Sequence, residues 1–133
     1  MGYGSAGNLL NGFEQADANA LSDAEFRAAF ESCSLRADAF RHYEHVRLAW
    51  IYLGVAPIEE ATLWMATGIL RFALHHSGST AKYNEALTRA WVRLVARARA
   101  VSNNAATFTV FAEANPMLFD RKRAFDFYGV EAP

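Results

Sequence analysis

Two histidines three residues apart, His42 and His45, occupy the stretch Phe40-Arg41-His42-Tyr43-Glu44-His45-Val46-Arg47-Leu48-Ala49-Trp50. In a helix of 3.6 residues per turn His42 falls in the middle of the arc of Val46, Ala49, Trp50 and Leu53, and His45 lies about 60° to one side. Both imidazoles then lean inward, and Glu44 points away. A neutral imidazole suits proton transfer near neutral pH, so His42 or His45 is the candidate general acid or base of a small enzyme. Two imidazoles on one face can also share a metal, but a third ligand must come from another helix, and no metal or other cofactor is expected. The plain alternative is that each ring satisfies a buried carbonyl, hydroxyl or carboxylate.

A second set lies in Lys82-Tyr83-Asn84-Glu85-Ala86-Leu87-Thr88. The pattern predicts the start of a long helix, with Tyr83 on its buried face, Asn84 and Thr88 beside it, and Glu85 turned outward to Arg89. A phenol, an amide and a hydroxyl on one edge can meet His42 and His45 across a bundle. They would then line a small polar pocket for a metabolite or close a hydrogen-bond network that fixes helix register. His42, His45, Tyr83, Asn84 and Thr88 are therefore the candidate ligand-binding residues.

The order Phe-x-His-x-x-His-x-Arg-x-Ala-Trp, present as Phe40, His42, His45, Arg47, Ala49 and Trp50, is followed by Lys82-Tyr83 and by Thr88. It resembles a family of small bacterial all-helical proteins without an established activity, over roughly residues 38 to 128. The family's second motif reads Lys-Tyr-His-x-Thr-x-Thr, from which this chain departs with Asn84 for the His and Ala86 for the first Thr. The resemblance implies a helical fold and no reaction. The departure at Asn84 also removes a third nitrogen ligand.

Other clusters have simpler readings. His75-His76 sit where a helix should end, favourable to its negative pole when protonated. Arg89, Arg93 and Arg97, with Arg99 nearby, form a stripe read as a solvated face. The lone Cys33 follows Phe26 and Phe30 at helical spacing and reads as a small core residue. Gly-x-Gly-x-x-Gly after a strand, Gly-x-x-x-x-Gly-Lys and paired cysteines are all absent, which excludes nucleotide-binding α/β folds and zinc ribbons.

The elements that must position these residues are helices. Leu21-Ser22-Asp23-Ala24-Glu25-Phe26 carries a capping box and a hydrophobic staple, so a first helix begins there. A second should run from about Asp38 or Arg41 to Gly54, and Pro57 opens a third that ends near His75 and His76. After the turn Ser77-Gly78-Ser79-Thr80, Tyr83, Leu87, Ala90, Trp91, Leu94, Ala98 and Val101 trace one face of what should be the longest helix. A shorter segment carries Phe108 and Phe111 to Asn115-Pro116, and a last piece runs from Asp120 to Tyr128, ending at Gly129. The expected fold is all-α, a single bundle of four longer helices with short C-terminal helical segments. The expected division is a flexible Gly-rich N-terminus over residues 1 to 20, a helical domain over 21 to 129, and a tail over 130 to 133.

Length and charge bound the rest. A chain of 133 residues with 53% hydrophobic and 20% charged side chains is one domain with a real core. A formal net charge of −1 supplies no global field towards nucleic acid or acidic lipid. Uncharged runs such as residues 48 to 58 fall far short of the ~20 residues of a membrane span. The lone cysteine and the lack of a signal-like start point to the cytoplasm. Leu48 and Ile51 lie opposite His42, and Trp64 lies off the main stripe of the third helix. A helix apolar on two sides suggests a homodimer through helices two and three.

Overall fold

In the computed structural model, residues 20–102 and 105–133 are described. The proposed flexible N-terminus lies, but for Ala20, outside the described residues. These form six α-helices and no strand: α1 (Asp23–Glu31), α2 (His42–Leu53), α3 (Ile58–Ser77), α4 (Glu85–Val101), α5 (Phe108–Ala114) and α6 (Ala124–Tyr128). Short 3-10 turns cover Ala37–Ala39 and Pro116–Phe119. The all-α fold of four longer helices with short C-terminal segments is therefore present.

Each start has a local cause. At α1 the Ser22 hydroxyl accepts from the Glu25 amide at 3.1 Å and the Glu25 carboxylate accepts from the Ser22 amide at 2.9 Å. The helix then stops sooner than expected. Cys33 does not extend its stripe but lies beyond its end in the left-handed region, with φ 62°. The Ser32 and Ser34 hydroxyls both donate to the Ala29 carbonyl, the kind of side-chain competition that ends a helix. Cys33 is buried all the same.

Helix α2 begins at His42 with Arg41 as its N-cap, the later of the two expected starts, because Phe40 adopts φ −115° and ψ 81° after the 3-10 turn. Glu44 turns back to accept the Arg41 amide at 2.8 Å, capping the new start. The longest helix is α3, with 20 residues against 17 in α4. Nothing breaks α3 before Gly78, whose φ of 72° suits only glycine well. Helix α4 loses its first turn because Asn84 takes the N-cap, leaving Tyr83 outside.

Helix α2 runs through the middle of the molecule, packed on α1, α3, α4 and α5. Leu48 is fully buried within the chain, Ile51 is half-buried, and Trp64 packs edge-on to Tyr52 at 5.4 Å. The second apolar side of α2 is thus covered by the chain itself. Leu48 therefore presents no surface to a second copy. Helix α1 closes that side of α2, with Asp23 and Phe26 on Arg47 and Glu31 on Tyr52.

The aromatic centre joins α1, α3 and the approach to α2. Phe30 lies 4.7 Å from Phe40 and 5.4 Å from Phe72 between ring centroids. Gly68 of α3 makes room for it, since a Cβ there would sit 2.5 Å from Phe30 Cε2 and 2.9 Å from Cζ. Alanine favours a helix over glycine by ~1 kcal/mol, but Phe30 is fully buried and has nowhere to move. Gly68→Ala is expected to lower stability by about 1–3 kcal/mol through overpacking, read from the urea midpoint. A stabilised variant would show that the ring yields.

Candidate ligand-binding cavity beside α2 and α4

A cavity of about 290 Å³ is lined by residues of α2, α3 and α4, the segment just before α4, and Arg121. His42, His45, Tyr83, Asn84 and Thr88 all line it. Its walls are otherwise largely apolar: Val46 and Ala49 from α2, Met65 and Ile69 from α3, and Trp91 and Val95 from α4.

Both histidines sit in the first turn of α2, and each spends one nitrogen on a backbone carbonyl. His42 Nε2–H donates to the Leu118 oxygen at 2.9 Å. His45 Nδ1–H donates to the Arg41 oxygen at 2.7 Å. These bonds select opposite neutral tautomers, leaving His42 Nδ1 and His45 Nε2 with lone pairs. Aromatic neighbours hold the rings. Trp91 meets His42 edge-on at 4.5 Å, and Phe40 stacks on His45 at 4.0 Å.

Burial lowers the pKa of both imidazoles below the ordinary 6.5. For His42 the carbonyl of Leu118 works against burial, and Arg121 adds to the lowering. For His45 the Arg41 carbonyl opposes burial, and His42 adds to the lowering. Near neutral pH both rings are uncharged.

The second set is arranged differently from the expectation. Asn84 does not share a helical edge with Tyr83 but caps α4, its Oδ1 accepting from the Leu87 amide at 3.0 Å. Thr88 donates its hydroxyl to the Asn84 carbonyl at 3.2 Å. Both groups are therefore committed to local backbone bonds. Tyr83 precedes the helix in a turn closed by its amide on the Thr80 carbonyl at 3.0 Å. Its hydroxyl is buried and, among the described residues, is the one such side-chain polar atom without a hydrogen-bond partner. The five residues line one cavity, yet no hydrogen bond between the histidines and the Tyr83, Asn84 and Thr88 side chains closes them into a network.

Sequence reasoning missed the cations. Arg41, Lys82 and Arg121, all exposed, also line the cavity, whereas no aspartate or glutamate does. Arg41 and Lys82 adjoin the motif residues and were in plain view, but Arg121 is brought in by the C-terminal turn, which no spacing rule anticipates. Among the described residues no three His, Cys, Asp or Glu side chains gather as a metal site.

The remaining clusters lie elsewhere. His75 and His76 are exposed at the end of α3, with His76 against Phe72 at 4.3 Å. Arg89, Arg93 and Arg97 are exposed, as a solvated face requires, and Arg89 pairs with Glu85 at 3.1 Å. Arg99 departs from that stripe, turning in to donate to the Trp50 carbonyl at 3.1 Å. A more polar cleft of about 410 Å³ near Tyr43 and Thr107 contains Arg47 and Asp23, bonded to each other at 3.0 Å. No described helix is long and apolar enough to cross a membrane.

Set against models of protein families, curated proteins and solved structures, the chain matches none.

The neutral imidazoles carry a pH signature. The unfolded chain binds protons at histidine near 6.5, and the folded chain only at lower pH, so protons favour unfolding within that window. This contribution is complete above about 6.5 and is lost as pH falls towards the folded values. Melting temperature should drop from about pH 6.5 downward, and His42→Gln/His45→Gln, which keeps a donor at each position, should flatten that slope. An unchanged slope would place the acid sensitivity in other groups.

Proposed function

We propose that this chain is a small-molecule-binding helical module whose ligand enters the cavity lined by His42, His45 and Tyr83. The observation that supports this most is the set of uncommitted polar groups around an apolar space. Among the described residues, His42 Nδ1, His45 Nε2 and the Tyr83 hydroxyl are each left unspent by the protein's own bonds. An unpaired buried hydroxyl costs ~1–3 kcal/mol, which a ligand acceptor would offset. A few polar groups in an otherwise apolar concavity are the usual make-up of a ligand site, and 290 Å³ falls at the small end for one.

A second reading, a small enzyme, is favoured by the same lone pairs. A neutral imidazole whose tautomer is fixed by a backbone carbonyl is a prepared general base. His42 and His45 are the residues that would act, with Tyr83 orienting the substrate.

A fragment library screened by ligand-observed NMR tests both readings. Hits with Kd below about 1 mM should raise the melting temperature of the wild type. They should be lost in Ala49→Leu, which fills the cavity from a buried wall position. Absence of any hit, or hits indifferent to Ala49→Leu, removes the binding reading. Hits recovered chemically unchanged after long incubation remove the catalytic one for those compounds.

A further inference from the structure

The lining of the cavity is lopsided in charge. Arg41, Lys82 and Arg121 come from three separate stretches, just before α2, just before α4 and just before α6, and converge on one cavity. The acids next to them in sequence bond chiefly to other groups, although Asp38 also feels the charge of Arg41. Glu44 accepts the Arg41 amide, and Asp38 pairs with Arg36 at 3.2 Å. Glu85 pairs with Arg89. Asp120 accepts the amides of Lys122 and Arg123, each at 3.1 Å. Among the described residues neither Lys82 nor Arg121 has an ion-pair partner. Arg41 donates its Nε–H to the Asp38 carbonyl at 2.9 Å, and among the described residues it makes no ion pair.

An excess of cations around an apolar space selects a ligand with two ends. A cationic ligand would meet three like charges, and a neutral one would leave them unused. A bare inorganic anion would leave the walls of Val46, Ala49, Met65, Ile69 and Trp91 uncovered. A singly charged head loses less hydration on entry than a dianion, so a carboxylate fits better than a phosphate ester.

We propose that the cavity takes a small amphipathic monocarboxylate, its aromatic or aliphatic body against the walls of α2, α3 and α4 and its head on Arg41, Lys82 and Arg121. This rests on the small-molecule reading above. At the ~30 Å³ that a water molecule occupies in the liquid, the space admits a body of about ten non-hydrogen atoms. The Tyr83 hydroxyl is a further donor available to the carboxylate.

The test titrates phenylacetate, its neutral isostere phenylacetamide and the cationic phenethylamine into the full-length chain, followed by amide NMR shifts and melting temperature. Phenylacetate should bind roughly tenfold more tightly than the amide at low salt, and the gap should shrink in ~0.5 M NaCl, where charges are screened within ~4 Å. Lys82→Ala/Arg121→Ala should bring acid and amide to within about twofold, chiefly by weakening the acid. Both positions are exposed, so the fold should survive, and in wild type the salt dependence gives the same comparison independently. Equal binding of acid and amide, or preference for the amine, overturns this proposal and leaves the small-molecule reading standing. Inorganic phosphate acting on the same residues as strongly as phenylacetate also overturns it, in favour of a simple ion site. No binding by any of the three overturns it, and only silence across the fragment library as well removes the broader reading.

Discussion

One hydrogen bond joins residues 76 positions apart: the His42 imidazole donates to the Leu118 carbonyl. It fastens the start of α2 to the 3-10 turn at Pro116–Phe119, and through that turn to everything after it. The turn is stiffened from its other side by Asn115, whose Oδ1 accepts the Tyr128 hydroxyl at 2.8 Å and whose amide donates to the Phe111 carbonyl at 3.0 Å. Arg121 is placed at the cavity only because this turn is held down. His42 therefore lines the cavity and also anchors part of its rim. Truncating its side chain disturbs both, whereas a glutamine keeps a donor.

A second constraint explains how a twelve-residue helix can sit in the centre of so small a molecule. Helix α2 carries two polar side chains inward, and α1 meets both. Arg47 is almost fully buried, with the Phe26 ring beneath it at 4.6 Å, and it donates to the Leu21 carbonyl at 2.7 Å and to Asp23 at 3.0 Å. A buried guanidinium is tolerable only with such partners. The Tyr52 hydroxyl donates to Glu31 at 2.6 Å, and Arg27 bonds the same carboxylate oxygen while lying over the Tyr52 and Trp64 rings. Burial would raise the pKa of Glu31, but the bonds from Tyr52 and Arg27 outweigh it and the carboxyl is held below its usual range. The polar clamp of α1 thus fixes the roll of α2, which in turn aims His42 and His45.

What could be read from residues alone was what depends on near neighbours. The capping box at Ser22, the stop at Gly78 and the order of the four longer helices are local consequences of spacing and turn chemistry. His42, His45, Tyr83, Asn84 and Thr88 do line one cavity, because the start of α4 packs beside the start of α2, although Tyr83 and Asn84 reach it from the turn and cap rather than from a helix face. What was not legible depended on contacts across the chain. The acceptor for His42 is a main-chain carbonyl, which no side-chain pattern announces. Asn84 looked like part of a polar cluster because its preference for an N-cap competes with its place on a periodic face, and the cap won. Leu48 looked like a surface for another chain because α1 lies across that side of α2 through long-range bonds to Arg47 and Tyr52, which no local pattern announces.

Cys33 is one feature of the fold whose substitution is unusually restricted. Its backbone lies in a region that costs a side-chain-bearing residue roughly 1–2 kcal/mol, yet its side chain is buried against the core, with the sulfur 3.9 Å from the Arg71 carbonyl. Glycine would relax the backbone and leave a hole. Asparagine tolerates the backbone but brings a larger, more polar group into a buried space, with the Arg71 carbonyl its nearest acceptor. Valine fills space but is the wrong shape for that twist. The position asks for something small, unbranched and oily in a conformation that rewards having no side chain at all. The lone thiol is therefore a compromise between packing and backbone.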